Sequence, residues 1–307
     1  MPGFLLTVSL PKVIQQLCTC ALITDKTLQW AESRKNALTA LSLVCTTVGI
    51  APSSPGGVDQ VTLAVIFRTL IDGLEDYTVD SRGDIGAIVR ESTMSSIQVL
   101  TNTSQPELLE ADLIRSVLHA VAKQSTEQIR RTRIFVQALH QMTFLDPESM
   151  KLILSTQILP RCTNPELYLR HGSILASGKV ISALCQVAKD HQRRLPEELG
   201  DAAMEYITQT CIDILEERFW RSFGGDQMRI AVCYFIQDLS SGGFPLLDAV
   251  VDRWLKALRE CLASADSNVQ QSAISAVTAL IGEYFRHQPV EKLTALSIST
   301  STISYPR

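Results

Sequence analysis

Residues 76–94 read DYTVDSRGDIGAIVRESTM, an acidic turn running into an amphipathic helix. Ile85, Ile88 and Val89 recur at helical spacing, and Ile97 continues the same face. Asp84 stands just ahead of the helix. There its carboxylate can accept from the free N–H groups of the first turn and favour the positive end of the helix dipole. Ser92, Thr93, Ser95 and Ser96 are small enough to let a neighbouring helix approach closely. Arg90 can reach back to an acidic turn in its own or an adjacent repeat. One such stretch alone reads as an ordinary surface helix with an arginine on it.

Recurrence changes that reading. An aliphatic residue, an arginine and a small residue three positions on appear at Val89-Arg90-Thr93, Leu169-Arg170-Ser173 and Met228-Arg229-Val232. Looser copies stand at Ser33-Arg34 with Ala37, Thr132-Arg133 with Val136, and Val269-Gln270 with Ala273. The markers at 34, 90, 133, 170, 229 and 270 are spaced by 37 to 59 residues, the range of stacked helical pairs with insertions. The fold class expected is all-α, a HEAT/armadillo-like helical-repeat solenoid, and such a scaffold points to binding rather than chemistry.

Composition agrees. Hydrophobic residues make up 46% of 307 and aromatics only 6%, as suits small contacts between helices. The net charge of −4 and the lack of a basic tract interleaved with aromatics argue against nucleic acid. The nearest basic cluster, Arg130, Arg131 and Arg133, reads as a solvated helix face or a patch for an acidic partner. No apolar run reaches membrane-spanning length. Met1–Leu10 lacks a basic start and meets Pro11 early, so it does not read as a signal peptide. The eight cysteines are scattered, and Cys18-Thr19-Cys20 lacks the spacing of a zinc site, so buried reduced thiols are expected and no metal or cofactor.

Helices are expected over Val8–Cys20, Trp30–Val48, Gln60–Leu74 (stopped by Gly73), Ile85–Leu100, Glu107–Lys123, Thr126–Thr143, Glu148–Ile158, Leu167–Lys189, Asp201–Phe219, Gln227–Leu239, Leu246–Leu262 and Val269–His287. Leu195–Leu199 reads as a polar break, and no hairpin of strands is expected anywhere. The Ser/Thr-rich 291–307 is expected to be a disordered tail.

No catalytic constellation stands out, and no enzyme activity is expected. Gly172 to Gly178-Lys179-Val180 misses phosphate-loop spacing and the Ser/Thr that must follow the lysine. Arg82-Gly83-Asp84 looks like an adhesion tripeptide, but turn-and-cap chemistry explains it. His171, beside Arg170, is expected to hydrogen-bond between adjacent helices. Asp72, Glu75, Asp76 and Asp80 cluster at one turn, a solvated loop or an electrostatic docking point. Asp76, Asp80, Arg82, Asp84, Arg130, Arg131 and Arg133 are therefore the candidate partner-binding residues.

Several blocks together resemble the tubulin-specific chaperone D (tubulin-folding cofactor D) family. They are 76–90 (DYTVDSRGDIGAIVR), 104–111 (SQPELLEA), 169–176 (LRHGSILA), 224–233 (GGDQMRIAVC) and 273–285 (AISAVTALIGEYF), with 31–49 and 2–6 also fitting. Family members are several-fold longer. Here residues 1–145 resemble their C-terminal region and 146–290 their central region, so the blocks stand in reversed order. The resemblance implies a HEAT-type scaffold that captures β-tubulin after chaperonin release and assembles or disassembles the αβ heterodimer. It implies tubulin cofactors C and E and an ARF-like small GTPase as partners. It also implies a cytoplasmic place, at microtubules or the centrosome, and a contribution to GTPase activation in which no residue of this chain is catalytic. A generic repeat adaptor, a GTPase regulator acting alone and a nonfunctional truncated copy are the alternatives.

Overall fold

The structure, a computed structural model, describes residues 3–24, 30–50, 56–103, 109–127, 132–216, 219–220 and 225–286. The expected tail at 291–307 lies outside them. The described chain is all-α, with helical repeats arranged in two compact units. One comprises residues 1–125 and 130–150, the other 126–129 and 151–307.

The first unit holds α1 (Gly3–Ala21), α2 (Ala31–Val48), α3 (Gln60–Leu74), α4 (Gly86–Thr103), α5 (Ala111–Glu127) and α6 (Thr132–Thr143). Packing skips alternate helices: α2 lies on α4 and α4 on α6, while α3 returns between α2 and α4. Ser92 Oγ donates to the Lys35 carbonyl and Ser96 Oγ to the Leu38 carbonyl, both at 3.1 Å. Partners advance together along both helices, so α2 and α4 run the same way. This same-direction stacking of every second helix is the repeat geometry. The small residues of α4 permit it: Thr93 packs against Gly73 of α3, where an added Cβ would lie 2.7 Å from the Thr93 hydroxyl. Gly73 is thus a packing glycine inside α3 and not its stop. Leu38, Leu41, Leu63, Ile66 and Phe67 are fully buried between these layers.

A short helix, α7 (Pro147–Ile153), is capped by Asp146, whose carboxylate accepts from Ser149 N at 3.0 Å. It widens into a π turn, Leu154–Ile158, and tightens into a 3-10 turn, Leu159–Arg161, with Pro160 at its start.

The second unit continues with α8 (Leu167–Asp190), α9 (Leu195–Leu199), α10 (Asp201–Asp213), α11 (Gly225–Gly242), α12 (Asp248–Leu262) and α13 (Ser267–Tyr284). Here α8 packs on α11 and α11 on α13, with α10 meeting α12 in the other layer. Gly178 brings α8 against α11: a Cβ there would sit 3.2 Å from the Phe235 backbone. Lys179 Nζ meets Asp238 Oδ1 at 2.8 Å on the same seam. Trp254 fills the core edge-on to Phe235, centroids 6.0 Å apart, and its indole N–H donates to the Cys211 carbonyl.

Four expectations need correction. Helix α5 opens at Ala111 rather than Glu107 and runs on to Glu127, through the break expected after Lys123. Val79–Asp80 (β1) and Gly83–Asp84 (β2) form an antiparallel two-residue hairpin at the turn before α4. Leu195–Leu199 is a one-turn helix, started by Arg194 and Pro196, rather than a break. Helix α10 ends at Asp213, where Leu215 N and Glu216 N switch to carbonyls three residues back.

Candidate functional site

The six marker positions fall on α2, α4, α6, α8, α11 and α13, each within five residues of the helix start. These are the helices that stack in each unit. Four of them, Arg34, Arg90, Arg170 and Gln270, reach for inter-helix turns, while Arg229 pairs within the first turn of its own helix. Arg34 Nε donates to Asp76 Oδ2 at 2.8 Å and its Nη2 to the Thr78 hydroxyl at 3.1 Å. Arg90 donates to the Asp76 carbonyl and, through Nη2, to Asp84 Oδ2 at 2.6 Å. Arg170 Nη1 donates to the carbonyls of Asn164 and Pro165 at 2.5 and 3.1 Å. Arg229 pairs with Asp226 at 3.2 Å, and Gln270 Nε2 donates to the Ser264 carbonyl at 2.7 Å. The side chain of Arg133 is not among those described.

Asp76 is the knot of the first unit. It is 0% exposed, and so is Arg34. Burial pushes its carboxyl up. Hydrogen bonds from Arg34 and Thr78, with the guanidinium charge, outweigh that and hold it below the usual carboxylate range. Gly86 fits against Asp76 because any Cβ there would strike its carbonyl. The Tyr77 ring lies under the Arg90 guanidinium, 4.5 Å from Cζ to the centroid, and its hydroxyl accepts from Gln124 Nε2 at 2.7 Å. Lys123 Nζ meets Glu75 at 3.0 Å and brings α5 to the same turn.

This geometry divides the acidic candidates. Asp76 is a correction: its carboxylate is enclosed and fully engaged, so it offers nothing to a partner. Asp84 caps α4 through Ala87 N at 3.1 Å while paired to Arg90, which leaves Arg82-Gly83-Asp84 as turn-and-cap chemistry. Asp80 is held by Arg82, whose backbone N, Nε and Nη2 all donate to it at 2.7–2.9 Å. Only the Arg82 side chain stands well out, 72% exposed. Arg130 and Arg131 lie outside the described residues.

Residues not singled out from the sequence complete the surface of this rim. Tyr77 and Val79, two apart and therefore on one side of the extended chain, are 46% and 69% exposed. Trp30, at the start of α2, is 60% exposed. The charge of Glu32 acts on Arg82, which places the hairpin beside the start of α2. Trp30, Tyr77 and Arg82 are of the residue types enriched among interface anchors, and Val79 adds apolar surface beside them. Their alternation with the buried Asp76 and the half-buried Thr78 was the available signal.

Among the described residues no group of three or more His, Cys, Asp or Glu side chains is placed to hold a metal, and no helix is long and apolar enough to cross a membrane. Cys45, Cys162, Cys185, Cys211, Cys233 and Cys261 are buried. His171 corrects another expectation. It is buried in α8, its Nδ1 meets no hydrogen-bond partner, and burial pushes its pKa down to about 4. Gly172 and Gly178 lie inside α8, not in a loop.

No family model matches the chain. Among solved structures it is similar to an engineered protein (12% identity, TM-score 0.39, covering 88% of this chain and 97% of that one). A designed armadillo repeat protein is similar at 13% identity and TM-score 0.37, covering 88% and 99%. The assignment of helical repeats rests on the packing described above.

Proposed function

We propose that the chain is a β-tubulin-binding scaffold of the tubulin-folding cofactor D kind. In this reading it holds β-tubulin after chaperonin release and takes part in assembling or disassembling the αβ dimer in the cytoplasm. Cofactors C and E and an ARF-like GTPase are its partners, and GTP hydrolysis is stimulated through those partners. One observation carries the reading. A long and distinctive block of the resemblance, residues 76–90, is the segment that closes the Arg34–Asp76–Arg90 knot and presents Tyr77, Val79 and Arg82 to solvent. A rim rigidified by buried ion pairs, with exposed anchors on it, suits capture of a large client with little ordering cost.

The test is capture of native αβ-tubulin by the purified chain, with circular dichroism and thermal melting on the same sample. Binding by a cooperatively melting helical protein supports the reading. A cooperatively folded chain that ignores tubulin replaces it with a generic repeat adaptor.

A further inference from the structure

Helix α10 stops at Asp213 and the chain folds back, with Phe219 N and Trp220 N both donating to the Glu216 carbonyl at 2.9 Å. The stop leaves a half-open cleft of about 460 Å³ between the end of α10 and one face of α12, residues 253, 256, 257 and 260. That volume is in the range of ligand sites. Its apolar lining is Ile212, Leu215, Ala257 and the buried Trp220. The charges around it differ in what they already hold. Asp213 accepts from Gln209 Nε2 at 2.7 Å, and Glu216 and Glu260 have partners as well. Arg253 and Lys256, one turn apart and exposed, make no side-chain hydrogen bond or ion pair among the described residues. The unanswered charge is positive, and it stands at the mouth of an apolar hollow.

We infer that the cleft takes an acidic peptide segment of a partner. One large apolar side chain seats against Ile212, Leu215 and Trp220, and carboxylates of the same segment lie on Arg253 and Lys256. Because the cleft is open on one side, it admits a side chain while the chain that bears it passes over the rim. In an extended chain residues two apart share a side and lie about 7 Å from each other. An apolar residue with acids two and four positions on therefore presents all three groups to the cleft. Nucleic acid and polyphosphates fit poorly, since three carboxylates share the lining with the two cations. All of these residues belong to the second unit, whereas the Tyr77–Arg82 rim belongs to the first, so loss of peptide binding here is distinguishable from loss of tubulin capture.

The experiment titrates the full chain with acetyl-Phe-Ala-Glu-Ala-Glu-amide by isothermal calorimetry at low salt. Saturable binding is expected. It should weaken several-fold when the peptide's Phe becomes Ala or both its Glu residues become Gln, and it should weaken with added salt. Arg253→Glu with Lys256→Glu should lose this peptide and bind acetyl-Phe-Ala-Lys-Ala-Lys-amide in its place. The melting midpoint of that variant should stay near wild type, because both positions are exposed. Absence of binding at millimolar peptide overturns the inference. So does a Gln peptide that binds as well as the Glu peptide, which would make the cleft an apolar hollow only. N-acetylphenylalanine binding as tightly as the pentapeptide would overturn it in favour of a small carboxylate ligand. The peptide comparisons on the wild-type chain stand whether or not the variant folds.

Discussion

Arg34 and Asp76 lie 42 residues apart and meet at 2.8 Å with both side chains out of solvent. The pair ties the start of α2 to the turn that opens α4, so one repeat is locked to the next by a charge pair and not only by apolar contact. Arg90 takes the Asp76 carbonyl from the other side. The turn is therefore gripped by the marker arginines of two successive stacked helices.

Removing one partner of a buried pair strands the other charge, which costs about 3–5 kcal/mol. Asp76→Ala should lower the stability of the first unit by that amount in urea unfolding followed by circular dichroism. Replacing both, Arg34→Met with Asp76→Leu, should recover much of the loss. An equal or larger loss in the double variant would mean that the pair itself is not what holds the turn.

Asp76 also sets an acid limit. Its folded pKa is depressed, so its contribution is fully present above the ordinary carboxylate value, about 3.9, and is lost as pH falls through the folded value. Asp76→Asn should flatten the stability profile of the first unit below about pH 4.

Gly86 has no room for a methyl group, because the Asp76 carbonyl and carboxylate occupy the space. Gly86→Ala should destabilise by about 1–3 kcal/mol. Crowding at Asp76 should also raise amide exchange over residues 76–90 in hydrogen-exchange measurements.

His171 gives the second unit the same direction of pH dependence at milder acidity. Its pKa of about 4 lies below the unfolded value of about 6.5, so the unfolded chain binds the proton first as pH falls. Stability is complete above about 6.5 and declines toward pH 4, by about 3 kcal/mol at most. His171→Leu should remove this slope, measured as melting midpoint against pH.

The rim anchors make the tubulin proposal specific. Val79→Ala with Arg82→Ala should weaken capture of αβ-tubulin by about 10-fold or more if these are hot spots. The melting midpoint should fall only slightly, since both side chains are largely solvated and the Arg82–Asp80 pair lies at the surface. Unchanged capture would move the contact away from this rim.

The helices were legible because periodicity, capping and breakers are local. Asp84, Asp146 and Asp266 all cap the helices they precede, with backbone N–H groups on their carboxylates at 2.8–3.1 Å. The repeat markers were legible because a stacked helix needs a residue of one kind at one place in every copy. The β1–β2 hairpin was not: its two-residue strands are too short to show alternation, and the Asp80–Arg82 bonds that close it need the folded turn. Gly73 looked like a stop because its packing partners, Leu38 and Thr93, are distant in sequence.

Sequence by itself determined an all-α repeat array, the existence and order of most of its helices, and the turn at 76–84 as the place where charge gathers. Which acid of that turn is structure and which is surface was decided only by tertiary packing. Asp76 and Asp80 are chemically identical and four residues apart. Arg34 arrives from another helix to desolvate and neutralise the first, while Arg82 meets the second from within the hairpin and leaves it at the rim. Burial depends on the long-range partner, and no local pattern encodes where that partner stands.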